Sequence, residues 1–148
     1  MNRNKQQGNR FERELCDMLA EKGFWAHNFQ QSKDGQPADV IAIKDRFHAL
    51  IDCKLVSTDA GFQFSRFEEN QRLSMRLFHQ RGGQMCYLAL KLPSGEIRFL
   101  DTATLYGQES LDRHSIPLDK IRRYTMSFDE WLGIEFEENR RLKPWMLS

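Results

Sequence analysis

The stretch Pro37-Ala-Asp-Val-Ile-Ala-Ile-Lys44, a short turn, and His48-Ala-Leu-Ile-Asp-Cys-Lys-Leu-Val56 decides how the chain folds. Both runs are rich in β-branched and aliphatic residues and read as neighbouring strands joined by Lys44-Asp-Arg46. Each also carries charge where a buried strand should have none. Asp39 opens the first strand. Asp52 and Lys54 stand two apart in the second, so strand alternation puts them on one face, with Ile51, Cys53 and Leu55 on the other. Three charged groups gathered on a small sheet are costly unless they are paired or hold a metal.

Working outward, the elements on both sides of these strands are legible to different degrees. Residues 1–8 are polar and basic without periodicity and read as a flexible arm. Asn9 is placed to cap a helix from about Arg10 to Lys22, ended by Gly23, with Phe11, Leu15, Met18 and Leu19 as its apolar stripe. At about 100° per residue, Glu12 falls beside that stripe and Glu14 a wider step from it. On this geometry alone, a solvated carboxylate is the simpler account of Glu12. Phe24 to Phe29 alternates loosely as a first strand, and Gln30–Gln36 is a polar loop.

Downstream, Ser65-Arg-Phe-Glu68 fits a capping box for a second helix closed by Arg81-Gly-Gly83. Gln71 falls inside its apolar face, either as a core amide bonded to backbone or as a polar group turned toward a site. Gln84–Lys91 and Glu96–Leu100, around Leu92-Pro-Ser-Gly95, read as a hairpin. Residues 101–127 look irregular apart from a short segment near Leu118–Tyr124, and Ser127-Phe-Asp-Glu-Trp131 looks like a capped short helix. The tail ends in Pro144-Trp145-Met146-Leu147, where Trp145 either packs on a partner or covers the core.

With 148 residues and 40% hydrophobic content, one domain with a real core is expected over residues 1–148. No apolar run approaches the ~20 residues of a membrane span, and the N-terminus lacks a signal-peptide core, so a cytosolic protein is expected. Cys16, Cys53 and Cys86 are scattered among apolar neighbours and read as buried free thiols. His27, His48, His79 and His114 show no ligand spacing, and no metal is assigned to them. Net charge is +1, yet residues 1–100 hold 15 basic against 12 acidic residues, and the remainder 7 against 9. Cation binding by Asp39 and Asp52 would leave the first part distinctly basic.

The order is therefore a helix with Glu12, a strand with Asp39, a strand with Asp52-Cys53-Lys54, a helix with Gln71, then more sheet. A divalent cation such as Mg²⁺ takes hard oxygen ligands, which Asp39, Asp52 and the Cys53 carbonyl between Asp52 and Lys54 can supply. Lys54 could orient or deprotonate a water, or stabilise negative charge developing on a phosphate. The plainer alternative is an Asp52–Lys54 ion pair at a sheet edge with Asp39 as a turn residue. It explains each residue separately but not their joint arrangement.

Pro37-Ala38-Asp39 followed by Asp52-Cys53-Lys54 resembles the PD-(D/E)xK signature of restriction-endonuclease-like nucleases. Gly8-x-x-Phe11-Glu12-Arg13-Glu14-Leu15, with Leu19 and Gly23-Phe24, resembles the opening of Holliday-junction resolvases of archaeal type. Phe64-x-x-Phe67, Gln71 and Gly82-Gly83 are similar to the resolvases of Gram-positive bacteria and their phages. The resemblance spans roughly residues 8 to 100, with Ala38 inserted before Asp39 and aspartate, not glutamate, at Asp52; residues 101–148 have no assigned role. It implies an α/β fold with a central mixed β-sheet flanked by helices. It also implies a Mg²⁺- or Mn²⁺-dependent DNA endonuclease with one or two ions per site, acting as a homodimer or higher homo-oligomer in a bacterial or phage-infected cell. By that resemblance Glu12, Asp39 and Asp52 are metal-binding and catalytic, Lys54 is the catalytic lysine and Gln71 lines the site. Arg3, Lys5, Arg10, Arg13, Lys33 and Arg46 are then candidate DNA contacts. The rival readings are a sequence-specific restriction, homing or repair nuclease of the same superfamily, and a catalytically silent DNA-binding protein that keeps the fold.

Overall fold

The computed structural model describes residues 3–29, 38–83 and 85–142, with side chains from residue 6 to residue 140 of those segments. Helix α1 (Arg3–Glu21) leads into three antiparallel strands, β1 (Trp25–Asn28), β2 (Val40–Lys44) and β3 (Phe47–Leu55). Strand β4 (Phe62–Gln63), a 3-10 turn at Phe64–Arg66 and helix α2 (Glu69–Gln80) then carry the chain to β5 (Met85–Lys91), which runs parallel to β3. Parallel neighbours require such a crossover. After β6 (Ile97–Asp101) come α3 (Thr102–Ser110), β7 (Ser115–Ile116), α4 (Ile121–Tyr124), β8 (Met126–Ser127) and α5 (Phe128–Leu142). The main sheet is six-stranded and mixed, in the order β1-β2-β3-β5-β6-β8, while β4 and β7 form a separate ribbon.

Alternation along the strands builds two cores. Leu50, Leu88, Leu90 and Leu100 face Phe64, Phe67, Met75 and Leu105 on one side. Val40, Ala42, Ile51 and Phe99 face Phe11, Leu15 and Leu19 of α1 and Trp131 of α5 on the other. Trp131 is fully buried and lies flat on Phe99, with ring centroids 4.6 Å apart. As expected, Asp52 belongs to the first face and Ile51 to the second. The helix flanks and mixed sheet match the expected fold class. No helix among the described residues is long and apolar enough to cross a membrane.

Several local expectations need correction. The basic arm is helical from Arg3 onward, so Asn9 lies inside α1 and does not cap it. Nothing in residues 3–9 breaks a helix except Gly8, which faces open space and costs only about 1 kcal/mol there. The second helix starts later than Ser65 suggests. Phe67 is extended (φ −84°, ψ 93°), and Glu68 forms the capping box with Gln71, whose Oε1 accepts from the Glu68 amide at 3.0 Å. Residues 102–110 are helical: Asp101 ends β6 and its Oδ1 also accepts from the Ala103 amide at 2.8 Å. The capped short helix at Ser127 has the expected cap, Ser127 Oγ accepting from Glu130 at 3.1 Å, but runs for 15 residues. The Gln30–Gln36 loop and the Pro144–Leu147 tail lie outside the described residues.

Candidate active site

Strand register assembles the site. Asn28 pairs with Val40, and Val40 pairs with Ile51, so one step further Phe29, Asp39 and Asp52 stand side by side on one face. Backbone bonds carry the alignment that far: Phe29 N–H donates to the Asp39 carbonyl (2.9 Å) and Asp39 N–H to the Ile51 carbonyl (3.1 Å). Asp39 precedes β2 where the chain leaves the ladder, and its Oδ2 takes up the Cys53 amide at 2.7 Å. The site therefore sits toward the C-terminal ends of the parallel pair β3 and β5, where ligands of open α/β sheets commonly bind.

Asp52 is wholly buried. Its Oδ1 accepts from Gln71 Nε2 at 3.1 Å, and Lys54 Nζ stands 3.2 Å from Oδ2 as an ion pair. Apart from this ion pair, Oδ2 accepts no well-aligned hydrogen bond among the described residues. Gln71 resolves its two readings by serving both: its Oε1 caps α2 through Glu68 and accepts from Lys54 Nζ at 3.4 Å, while its Nε2 holds Asp52. With both ends of the amide engaged, it is a positioning residue for Asp52 and Lys54.

Glu12 is half-buried on α1 and turned toward Asp39. Burial, then the neighbouring Asp39, push its carboxyl up to about 7, with Lys54 opposing. Burial pushes Asp52 well above the usual carboxylate range as well, again with Asp39 adding and Lys54 opposing. Asp39 is thus the shared neighbour of Glu12 and Asp52. Three carboxylates and one ammonium leave an excess of negative charge in a poorly hydrated place.

That donor set suits a hard divalent cation: two carboxylates, a buried oxygen lacking a hydrogen bond, and mutual repulsion that a cation would relieve. Among the described residues, no three His, Cys, Asp or Glu side chains converge as a ready-made cage. Mg²⁺ is commonly held by only one or two carboxylates, with waters completing its shell. The Cys53 thiol, on the opposite face, is driven far up by burial and takes no part as a thiolate.

The candidate DNA contacts are dispersed. Arg10 and Arg13 are exposed on α1. Arg46 is exposed at the β2–β3 turn, six residues from Asp52 and seven from Asp39, roughly 20 Å or more along the strands. It is therefore not at the site, and its amide is committed to Asn139 Oδ1 at 2.9 Å. The side chains of Arg3 and Lys5, and all of Lys33, lie outside the described residues. One cation was not foreseen. Arg66 donates to the Leu55 carbonyl at the end of β3 and lies within electrostatic reach of Asp52. Its place in a 3-10 turn follows from tertiary packing, and no local sequence signal marks it.

Comparison with known proteins identifies the family and the fold. The sequence profile of the archaeal Holliday junction resolvase family (Hjc) matches residues 3–138, so the likeness runs past residue 100 into α5. The fold resembles that of Archaeoglobus fulgidus Hjc, a Holliday junction resolvase from an archaeal hyperthermophile, with a TM-score of 0.65 over 84% of this chain and 97% of that one. At 23% identity that likeness speaks to the fold alone. No curated protein sequence matches the chain.

Proposed function

This chain belongs to the archaeal Holliday junction resolvase family, and we propose that it cuts branched DNA at the Asp39–Asp52 end of its sheet, using Mg²⁺ or Mn²⁺. The family makes it a structure-specific, divalent-metal-dependent endonuclease; the assignment of individual residues is our own. Asp39 and Asp52 hold one or two cations, aided by Glu12 and the Cys53 carbonyl. A cation bound there supplies Lewis-acid charge to the phosphate and lowers the pKa of the attacking water. Lys54, fixed by Asp52 and Gln71, orients that water or offsets the negative charge developing on the phosphate. Gln71 keeps Asp52 and Lys54 in register with each other. Arg10, Arg13 and Arg66 offer positive charge for the DNA backbone.

Residues 1–148 act as one nuclease domain in the cytoplasm. Two symmetric cuts call for two copies of the site, hence a homodimer. Leu73 and Leu77, one turn apart on α2 and 48% and 42% exposed, provide an apolar stripe for self-association.

The observation that carries this reading is the buried Asp52 carboxylate, flanked by Asp39 and Lys54 and left with an oxygen that accepts no hydrogen bond among the described residues. The test is a panel of four-way junction, flap, linear duplex and single-stranded DNA incubated with Mg²⁺. Paired nicks in opposite strands of the junction are expected, with linear duplex spared. Cutting at one sequence in linear duplex, with junctions ignored, would assign the site to a restriction-type nuclease. No cleavage of any DNA with Mg²⁺ or Mn²⁺ would leave a DNA-binding protein.

A further inference from the structure

The open half of the sheet carries a second surface. Trp25, His27 and Phe29 alternate along β1 onto one face, and the register makes it the face of the carboxylates. Trp25 lies opposite Ile43 and His27 opposite Ile41, Ile41 lies opposite Leu50, and Leu50 is two residues before Asp52. On this side α2 packs over β3 and β5, and α3 over β5 and β6, while α1 packs on the reverse side. Among the described residues no helix covers the β1 edge: Trp25 is 60% exposed and His27 is exposed beside it. Their rings are parallel within 10°, with centroids 5.9 Å apart, and Phe29 meets His27 edge-on at 6.1 Å. The fold does not need the exposed rings of Trp25 and His27, because β1 is already anchored by Ala26 against the α1 core and by Phe29 against the core on the near side.

We propose that Trp25 and His27 form a stacking platform for unpaired nucleobases of the strand being cut. This rests on the nuclease reading above and deepens it. The row runs directly into the site, since Phe29 is bonded to Asp39 through the backbone. Four residues of strand separate Trp25 from Phe29, about 13 Å, which is the length of about four stacked nucleotides. Planar rings suit any base, so such a platform reads an opened branch point without reading sequence. Among the paired strand residues the face carries His27 and His48 and no carboxylate before Asp39 and Asp52, so these strands do not repel a phosphate backbone there. A second copy of the chain is a poorer occupant. A four-residue strand with a single exposed tryptophan falls well short of the ~800 Å² per partner typical of a stable interface.

The experiment places 2-aminopurine at successive nucleotides beside the cut in a four-way junction. The junction is bound to wild type, Trp25→Ala and Trp25→Phe with Ca²⁺ in place of Mg²⁺, and uncut junction is confirmed on a gel. A fluorescence change in the unpaired bases about four nucleotides from the cut is expected in wild type and Trp25→Phe, and its loss in Trp25→Ala. Junction affinity should fall roughly tenfold in Trp25→Ala, with melting temperature and dimer mass unchanged. The same affinity and fluorescence in Trp25→Ala would overturn the platform. So would dissociation of the dimer by Trp25→Ala with the fluorescence change intact, which would make the face a self-interface. A wild type that gives the signal but cuts no DNA with Mg²⁺ would sink the nuclease reading and leave the platform standing.

Discussion

The two ends of the β2–β3 hairpin both bury polar groups, and they treat them in opposite ways. At the turn, α5 presents Asn139 and Glu135, 6% and 5% exposed. Asn139 accepts from the Arg46 amide and donates to the Lys44 carbonyl (3.1 Å) and to Glu135 (2.6 Å). Lys44 Nζ donates to the Lys22 carbonyl at 2.9 Å and lies 3.6 Å from Glu135. Every one of these groups finds a partner of the right kind. At the other end Glu12, Asp39 and Asp52 share one lysine, and an oxygen of Asp52 is left without a hydrogen bond. A satisfied network fixes a fold, whereas an unsatisfied one costs stability and persists where a ligand completes it. On the proposed reading, the turn end is architecture and the carboxylate end is function.

The largest expected effect breaks that contrast at the functional end. Asp52→Asn should lower junction cleavage by about three orders of magnitude or more, while junction binding in EDTA is retained. Gel-based single-turnover rates beside a binding titration check it. At the turn end, Asn139→Ala strips partners from the Arg46 amide, the Lys44 carbonyl and Glu135 at once. It should cost about 2–3 kcal/mol in urea unfolding with cleavage per folded molecule unchanged. If it instead slowed cleavage at full stability, the division between the two ends would be wrong.

Gln71→Ala touches both roles of one side chain. It should reduce cleavage roughly tenfold by freeing Asp52 and Lys54, and cost about 1 kcal/mol through the lost α2 cap. The smallest effect is in pH. The Glu12 carboxyl is raised from 4.5 to about 7 in the folded chain, so folding favours its protonated form. In EDTA, the share of stability that rests on protonated Glu12 should be present near pH 4.5 and be lost as pH rises to about 7, a loss that Glu12→Gln does not suffer. Melting curves of the two proteins over that window should therefore draw together or cross, not diverge in wild type's favour.

How much of this was legible follows from how local each signal is. Asp39, Asp52 and Lys54 could be read because strand alternation has a period of two and the charges broke an otherwise apolar pattern. Glu12 could be placed beside a stripe but not aimed, since only the packing of α1 against β2 and β3 turns it to Asp39. Helix α3 was hidden because Thr102–Ser110 buries only Leu105 and its cap, Asp101, also closes a strand. Helix α5 showed its Ser127 cap but not its length, since Gly133 and a run of acids obscure the face that carries Trp131 into the core. Arg66 and the clasp of Asn139 on residues 44–46 are tertiary facts about residues far apart in sequence, which no local pattern encodes.

The most direct test of the central claim, that the carboxylate end is unsatisfied because a cation belongs there, is thermal unfolding of wild type and Asp52→Asn with EDTA and with Mg²⁺. At about ten times its dissociation constant, Mg²⁺ should stabilise wild type by about 1.4 kcal/mol, or roughly 3–6 °C. Asp52→Asn removes a repelled carboxylate but also the ion-pair partner of Lys54, so its stability in EDTA is only the baseline, and from that baseline it should respond little to Mg²⁺. A variant that gains as much from Mg²⁺ as wild type does would contradict the account.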